Sequence, residues 1–385
     1  MTPLSLYLHI PFCAEKCRYC DFYSVKTDSP LIKRYIATLT REIDLYRNHI
    51  ALGDAHVRTV FFGGGTPSVL PADGLASLCG MVRSRFSLAP DVEWTVECNP
   101  ESFTRETAAV LLEHGVTRLT FGIQSLDDRE LSLLGRVHSS ARATEVLHDP
   151  ILHRFQSIGA DIIYGIPGQT VETLDRTISA LFAIPAVTHI SAYELTIAEG
   201  TPFKRHRSLL PMPGDETMAA VTRHLWKRLA DAGFEQYEVS NFARQGHRSR
   251  HNEAYWDHQP YLGLGCAAHS YLHPLRWGNI RDVGRYCSML DAGVLPREFT
   301  ETLDPQKLAM EMVFLGLRRT DGVNEERFKE KCGNLFENIV DGKKLEYYRQ
   351  KGLIRHEKPF WRPTPQGMLM ADGMARGLCP IIDTT

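Results

Sequence analysis

Residues 9–22 read HIPFCAEKCRYCDF, which sets Cys13, Cys17 and Cys20 in C-x3-C-x2-C spacing just after a strand-like run at 5–10. Thiolates are soft ligands, and cysteines two or three residues apart can wrap one compact metal centre. A structural zinc ion takes a closed shell of four ligands, and no second Cys or His pair with finger-like spacing follows. Three local thiolates suit a 4Fe–4S cubane and leave one of its irons open to an exogenous ligand. Two other readings stay open on these residues alone: a chance cluster of structural cysteines, and a zinc site completed by His9 or a more distant histidine. Cys79, Cys98, Cys266, Cys287, Cys332 and Cys379 stand singly and read as small buried thiols rather than disulfides.

From the N-terminus to about residue 200, strand-like runs at 5–10, 59–62, 93–97, 118–122, 160–164 and 189–194 alternate with helical patterns. Those patterns lie at 31–47, 71–86, 104–114, 127–134 and 170–184. Such alternation predicts an α/β fold with a parallel sheet and helices on its outer side. Six units predict an open, partial β/α barrel rather than a closed eight-fold one. In parallel α/β folds functional residues gather at the C-terminal ends of strands. The polar motifs fall there: GGGTP (63–67) follows Phe61-Phe62, Glu97 ends WTVE, Gln124 follows TFGI, and Asp161 starts DIIYGIPGQT. Pro150 interrupts the helical pattern at 141–155 and predicts a break there.

Residues 201–302 mix Gly, Pro, aromatics and His around one clear helix at 217–232, and read as a β-containing extension with long loops. From 303 to 385 the order is helix (305–317), turn (320–323), helix (325–332), helix (335–351), strands at 353–356 and 360–363, and a closing helix (365–376). That order suits a small winged-helix-like domain. The division expected is 1–200, 201–302 and 303–385. A net charge near −2 and a 43% hydrophobic fraction describe an ordinary globular chain with no global pull toward nucleic acid. In the last domain Lys and Glu alternate as on a solvated helix face, so a lid or docking role is expected. The first residues carry no secretory pattern and no apolar run reaches the ~20 residues of a membrane span. A cytoplasmic location is expected, with peripheral membrane contact left open.

The cysteine spacing, followed one βα unit later by GGGTP, resembles the radical S-adenosylmethionine superfamily over most of the first 200 residues. The resemblance implies three cysteines on three irons and S-adenosylmethionine chelating the fourth, whose sulfonium the cluster's electron splits to a 5′-deoxyadenosyl radical. The order of the polar motifs is similar to that of the oxygen-independent coproporphyrinogen oxidases and their relatives. It implies a cofactor pocket of Gly64, Gly65 and Thr66 at the methionine amino group, Glu97 and Gln124 at the ribose, and Arg136 at the methionine carboxylate. Asp161 would add a further polar group, Tyr7 would lie against S-adenosylmethionine, and Tyr19 would be the aromatic beside the third cysteine.

The decarboxylating oxidases carry a further cysteine two residues after the third, where this chain has Phe22, and a longer N-terminal extension that it lacks. HNEAYW (251–256) resembles instead the HNxxYW motif of HemW-type haem chaperones, and YLGLGCAAHSY (261–271) continues the match. That resemblance implies haem as cargo, apo-haem proteins as acceptors, and His251, Tyr255 and Trp256 as haem-binding candidates. His247, His258, His269 and Cys266 compete as iron ligands. On the residues alone, His251 reads as a loop histidine with Tyr255 and Trp256 packing between domains. The expected function is therefore a cluster-bearing haem chaperone. The alternatives are radical decarboxylation of coproporphyrinogen III and a zinc-bearing winged-helix regulator. The electron donor is not legible, and a homodimer stays open.

Overall fold

Leu4, Leu6, Leu8 and Ile10 are all buried along the strand Thr2–Ile10, and so are the intervening Ser5 and His9. A strand covered on both faces belongs in the middle of a parallel sheet, and the computed structural model, which describes residues 2–49 and 55–379, places it there. Seven strands run parallel, in the spatial order Tyr261–Leu264, Thr2–Ile10, Ala55–Gly64, Leu88–Cys98, Arg118–Gln124, Ser157–Tyr164 and Val187–Glu194. Short antiparallel strands flank this core on both sides. The outermost, Arg297–Thr302 and Glu235–Gln236, lie at opposite ends of a 12-stranded order, so the sheet is open.

The helices between the parallel strands begin where local chemistry caps them. Thr104, Asp127, Ser139 and Thr170 each accept a backbone N–H of the first turn that follows. The expected break at Pro150 is present: the helix Ser140–Leu147 stops, and a 3-10 turn, Pro150–Arg154, follows with Asp149 as its cap. One contiguous core runs from Leu4 to Leu290 and fills the space between sheet and helices.

Residues 201–302 hold more regular structure than the sequence pattern shows. Besides Asp215–Asp231, helices form at Pro202–Arg205, Arg250–Trp256 and Val283–Asp291, and the four-residue strand Tyr261–Leu264 docks beside the first strand. Two-turn helices and a four-residue strand are too short to display a period. HNEAYW is therefore helical rather than part of a loop. Two C-terminal helices expected as continuous are each split. Asp341 starts Gly342–Gln350 by accepting from Lys343 N and Lys344 N, and Leu369-Met370 separates Pro365–Met368 from Ala371–Leu378.

The C-terminal segment has its own core, from Leu308 to Cys379, around a three-stranded antiparallel sheet. It is tied to the main sheet at the end of the Arg250–Trp256 helix. Arg319 and Arg327 pair with Asp257, Lys331 donates to the His258 carbonyl at 2.7 Å, and Glu311 meets His258 at 2.8 Å. Among the described residues no helix is long and apolar enough to cross a membrane.

Candidate metal and cofactor site

The loop carrying the cysteines leaves the sheet where the first strand ends and is held there by backbone pairing. Phe12–Cys13 runs parallel to Val25–Lys26, and the glycine turn of the next unit is stitched to the same loop, Gly65 N donating to Ile10 O at 2.9 Å and Thr66 N to Phe12 O at 2.8 Å. A Cβ on Gly65 would lie 2.6 Å from both of those carbonyl oxygens, so only glycine allows the two loops to touch.

Between them lies a cavity of about 440 Å³ lined by Cys13, Cys17 and Cys20. Gly64, Gly65 and Thr66 form one wall; Glu97 and Gln124 rise from strand ends, Asp161 from within the strand Ser157–Tyr164, and Arg136 from the turn after the helix Asp128–Leu134. Tyr19 lines it as well, whereas Tyr7 lines a neighbouring cavity. Asn99 and Tyr193 also face this space and were not singled out from sequence. Asn99 follows Glu97 in ECNPES, so the end of that strand was a signal for it.

The polar groups are organised around the thiols. Arg136 donates from Nη1 to Cys17 Sγ at 3.3 Å, and from Nη2 to Asn99 Oδ1 at 2.7 Å and the Gly122 carbonyl at 2.8 Å. Thr66 Oγ1 lies 3.6 Å from Cys13 Sγ. Burial raises the Cys13 thiol and pushes Cys20 up to about 11, as it does for other buried thiols. Gly64 N donates to Glu97 Oε2 at 3.1 Å. Asp161 Oδ1, Arg136 Nε and Ser24 Oγ, all on residues that line the cavity, are buried and unpartnered.

Among the described residues the three cysteine sulfurs are not all within 4.8 Å of one another; the group that is comprises Glu325, Glu337 and His356, in the C-terminal segment. Tetrahedral ligands of one zinc ion sit roughly 4 Å apart given Zn–S bonds of about 2.3 Å. Three thiolates from one loop suit a multi-iron cluster with one thiolate on each of three irons.

Burial, and after it the Asp161 charge, lifts the Glu97 carboxyl from its ordinary 4.5 to about 8. Burial lifts Asp161 to about 7. The folded apo protein thus holds protons that the unfolded chain releases above about pH 4.5. Stability contributed by the neutral Glu97 is complete below that pH and is lost as pH rises through about 8. Urea denaturation of the apo protein is therefore expected to give a free energy that falls from pH 5 to pH 8. In Glu97→Gln this fall should be smaller by as much as about 4 kcal/mol; equal slopes would contradict the assignment.

The radical SAM superfamily pattern matches residues 7–181, and the HemN C-terminal domain matches residues 303–370. Over 383 residues the chain is 36% identical to the Heme chaperone HemW of Mycobacterium tuberculosis, covering 98% of this chain and 95% of that relative. The chain belongs to the HemW family. The HemW of Bacillus subtilis is 34% identical over 379 residues, covering 96% of this chain and 97% of its own. Among solved structures, the Escherichia coli coproporphyrinogen III oxidase HemN, a radical SAM enzyme, matches with a TM-score of 0.85 at 21% identity, over 97% of this chain and 89% of that one. At that identity the likeness is one of fold. The cofactors of the radical SAM superfamily, a 4Fe–4S cluster and S-adenosylmethionine, fit this cavity: soft sulfurs for iron, and unpartnered carboxylate and guanidinium atoms for a polar ligand.

In this HemW-family chain the HNEAYW residues do not converge on one cavity. His251 is 1% exposed, with Nδ1 2.8 Å from Thr59 Oγ1 and Nε2 3.0 Å from Tyr255 Oη. Burial alone holds its imidazole down at about 3, so it is neutral and its two ring nitrogens are occupied. Tyr255 lines the cavity shared with Tyr7, while Trp256 lines a cleft against the C-terminal segment. Phe22, where the decarboxylating relatives have a fourth cysteine, is 60% exposed and borders both the cysteine cavity and the cavity of Tyr7.

Proposed function

We propose that this protein is a haem chaperone that binds haem and hands it to apo-haem proteins. The observation that carries this reading is the end-to-end likeness to curated heme chaperones, which includes both the cysteine loop and the segment from 251 to 271. In it Cys13, Cys17 and Cys20 would hold the cluster, and bound S-adenosylmethionine would supply a reducible sulfonium beside it. The chain's own residues do the positioning. Backbone groups at Gly64, Gly65 and Thr66 would meet the methionine ammonium, and Arg136, whose Nε is unpartnered, would meet its carboxylate. Glu97, Gln124 and Asp161 accept from or donate to the sugar hydroxyls, where a bound polar partner would satisfy Asp161 Oδ1.

Decarboxylation of a porphyrinogen draws less support, because an exposed phenyl ring at Phe22 offers no thiol beside the cluster. The test is an anaerobic haem titration of the cluster-reconstituted protein, followed by mixing with an apo-haem acceptor. Saturable, stoichiometric binding with a Soret shift, then transfer of the chromophore, is the expected result. Absence of saturable binding with the cluster intact would overturn the reading.

A further inference from the structure

The cavity next to the cluster site holds about 400 Å³ and shares Asp21 and Phe22 with it as a common wall. Its remaining surface is strongly aromatic: Tyr7, Tyr23, Tyr255 and Tyr261 line it, and the exposed Phe22 ring stands at its border. Flat apolar faces with polar tips suit a porphyrin, which has an apolar plane and two carboxylate arms. Two histidines line the cavity, His9 and His269. His9 is excluded as a ligand by its own bonds, Nδ1 lying 3.0 Å from Tyr7 Oη and Nε2 2.9 Å from the Tyr23 carbonyl. His269 is exposed, and its ring makes no hydrogen bond among the described residues.

Other candidate ligands lie elsewhere or are engaged. His251 is buried as described, His258 pairs with Glu311, and Cys266 is buried with its thiol 3.0 Å from the Ile280 carbonyl. His269 opens the strand His269–Leu272 directly after a turn in which Ala267 takes a left-handed φ of 63°. Its ring sits 5.4 Å from that of Phe299, which limits its rotation. Arg281 lines the same cavity, is exposed, and uses Nη2 to reach the Asp21 carbonyl at 3.1 Å, leaving the rest of its fork for an anion.

We propose that haem is seated in this cavity with His269, not His251, as the protein ligand to iron, and with Arg281 pairing a haem propionate. The proposal rests on the haem-chaperone reading and names where that cargo binds. Imidazole nitrogen is a common axial ligand to haem iron, and guanidinium is matched to carboxylate. Burial, followed by the charges of Arg281 and Arg276, lowers the His269 pKa and keeps its imidazole in the neutral, ligating form. His251 then acts as a positioning residue: it holds the Tyr255 hydroxyl and so fixes one aromatic wall.

The test is anaerobic titration of reconstituted wild type, His269→Ala and Arg281→Gln with haem and with haem dimethyl ester, read by Soret position, electron paramagnetic resonance and affinity. His269→Ala, altered at an exposed side chain, is expected to keep its cluster, lose the wild-type iron ligand field and bind haem about tenfold or more weakly. Added imidazole should restore the ligand field. Arg281→Gln is expected to weaken haem but not the dimethyl ester. A wild-type spectrum and affinity in His269→Ala would overturn the proposal and leave the chaperone reading standing. No haem binding by wild type would overturn both.

Discussion

A Cys17→Ser variant is expected to emerge from anaerobic reconstitution with its iron and sulfide reduced at least about tenfold, the scale on which losing even an outer partner of a metal ligand acts. The expectation follows from the division of labour among the sulfurs. In the proposed site each sulfur would serve its own iron, so none would be redundant. Serine replaces the soft thiolate, to which Arg136 Nη1 donates at 3.3 Å, by a hard hydroxyl poorly suited to iron in a cluster. Cys13→Ser and Cys20→Ser should behave alike. Cys79→Ser, altered at a buried thiol on the helix Ala72–Arg85, should keep its iron if the variant folds. Elemental analysis with visible absorbance checks the set. Zinc bound stoichiometrically in wild type, without iron or sulfide, would restore the zinc reading and remove the cluster from the account.

The strand–helix alternation was legible because strands such as Arg118–Gln124 and Ser157–Tyr164 are short runs buried on both faces, followed by helices that Asp127 and Thr170 cap. The cysteine loop and the glycine turn were legible because their chemistry is local: thiols within eight residues, and glycines where two backbones touch. What escaped depends on partners far away in sequence. Glu93 accepts from Arg250 N at 3.1 Å and from His251 N at 2.9 Å, so a carboxylate more than 150 residues upstream caps the HNEAYW helix. Nothing within HNEAYW announces that cap, and a histidine pinned by Thr59 and Tyr255 has the same letters as one free to bind iron. Tyr261–Leu264 escaped for a related reason, since its pairing partner is the first strand. His269 stood out only once the lining of its cavity was known, because of the two histidines there His9 is engaged by hydrogen bonds.

Glu42→Ala is expected to destabilise the protein by about 3–5 kcal/mol, the usual cost of stripping a buried, multiply bonded carboxylate from its donors. Glu42 is fully buried on the helix Ser29–His49 and gathers three donors from the later segment: Gly265 N at 2.7 Å, Asn279 Nδ2 at 2.6 Å and Tyr286 Oη at 2.6 Å. Tyr35, on the same helix, donates to the His9 carbonyl and accepts from Cys266 N. The helix therefore clamps the turn at 265–268 against the first strand. Gly265, at φ 100°, is pressed so close that a Cβ would collide with the Tyr35 hydroxyl and the His9 carbonyl. Alanine at 42 leaves Gly265 N and Tyr286 Oη buried without that acceptor, while Asn279 Nδ2 keeps only the Gly265 carbonyl at 2.9 Å. Glutamine should cost far less: its oxygen can serve Gly265 and Tyr286, and Asn279, whose Oδ1 is unpartnered, can turn to accept from its amide. Burial already pushes the Glu42 carboxyl up to about 7, so the neutral amide resembles a form the native protein populates. Urea denaturation of Ala, Gln and wild type should rank them in that order of increasing stability; equal losses for Ala and Gln would mean that the charge, not the bonding pattern, holds the clamp. Because the clamped turn leads directly into His269, the alanine variant should also bind haem more weakly while its cysteine loop still takes up iron.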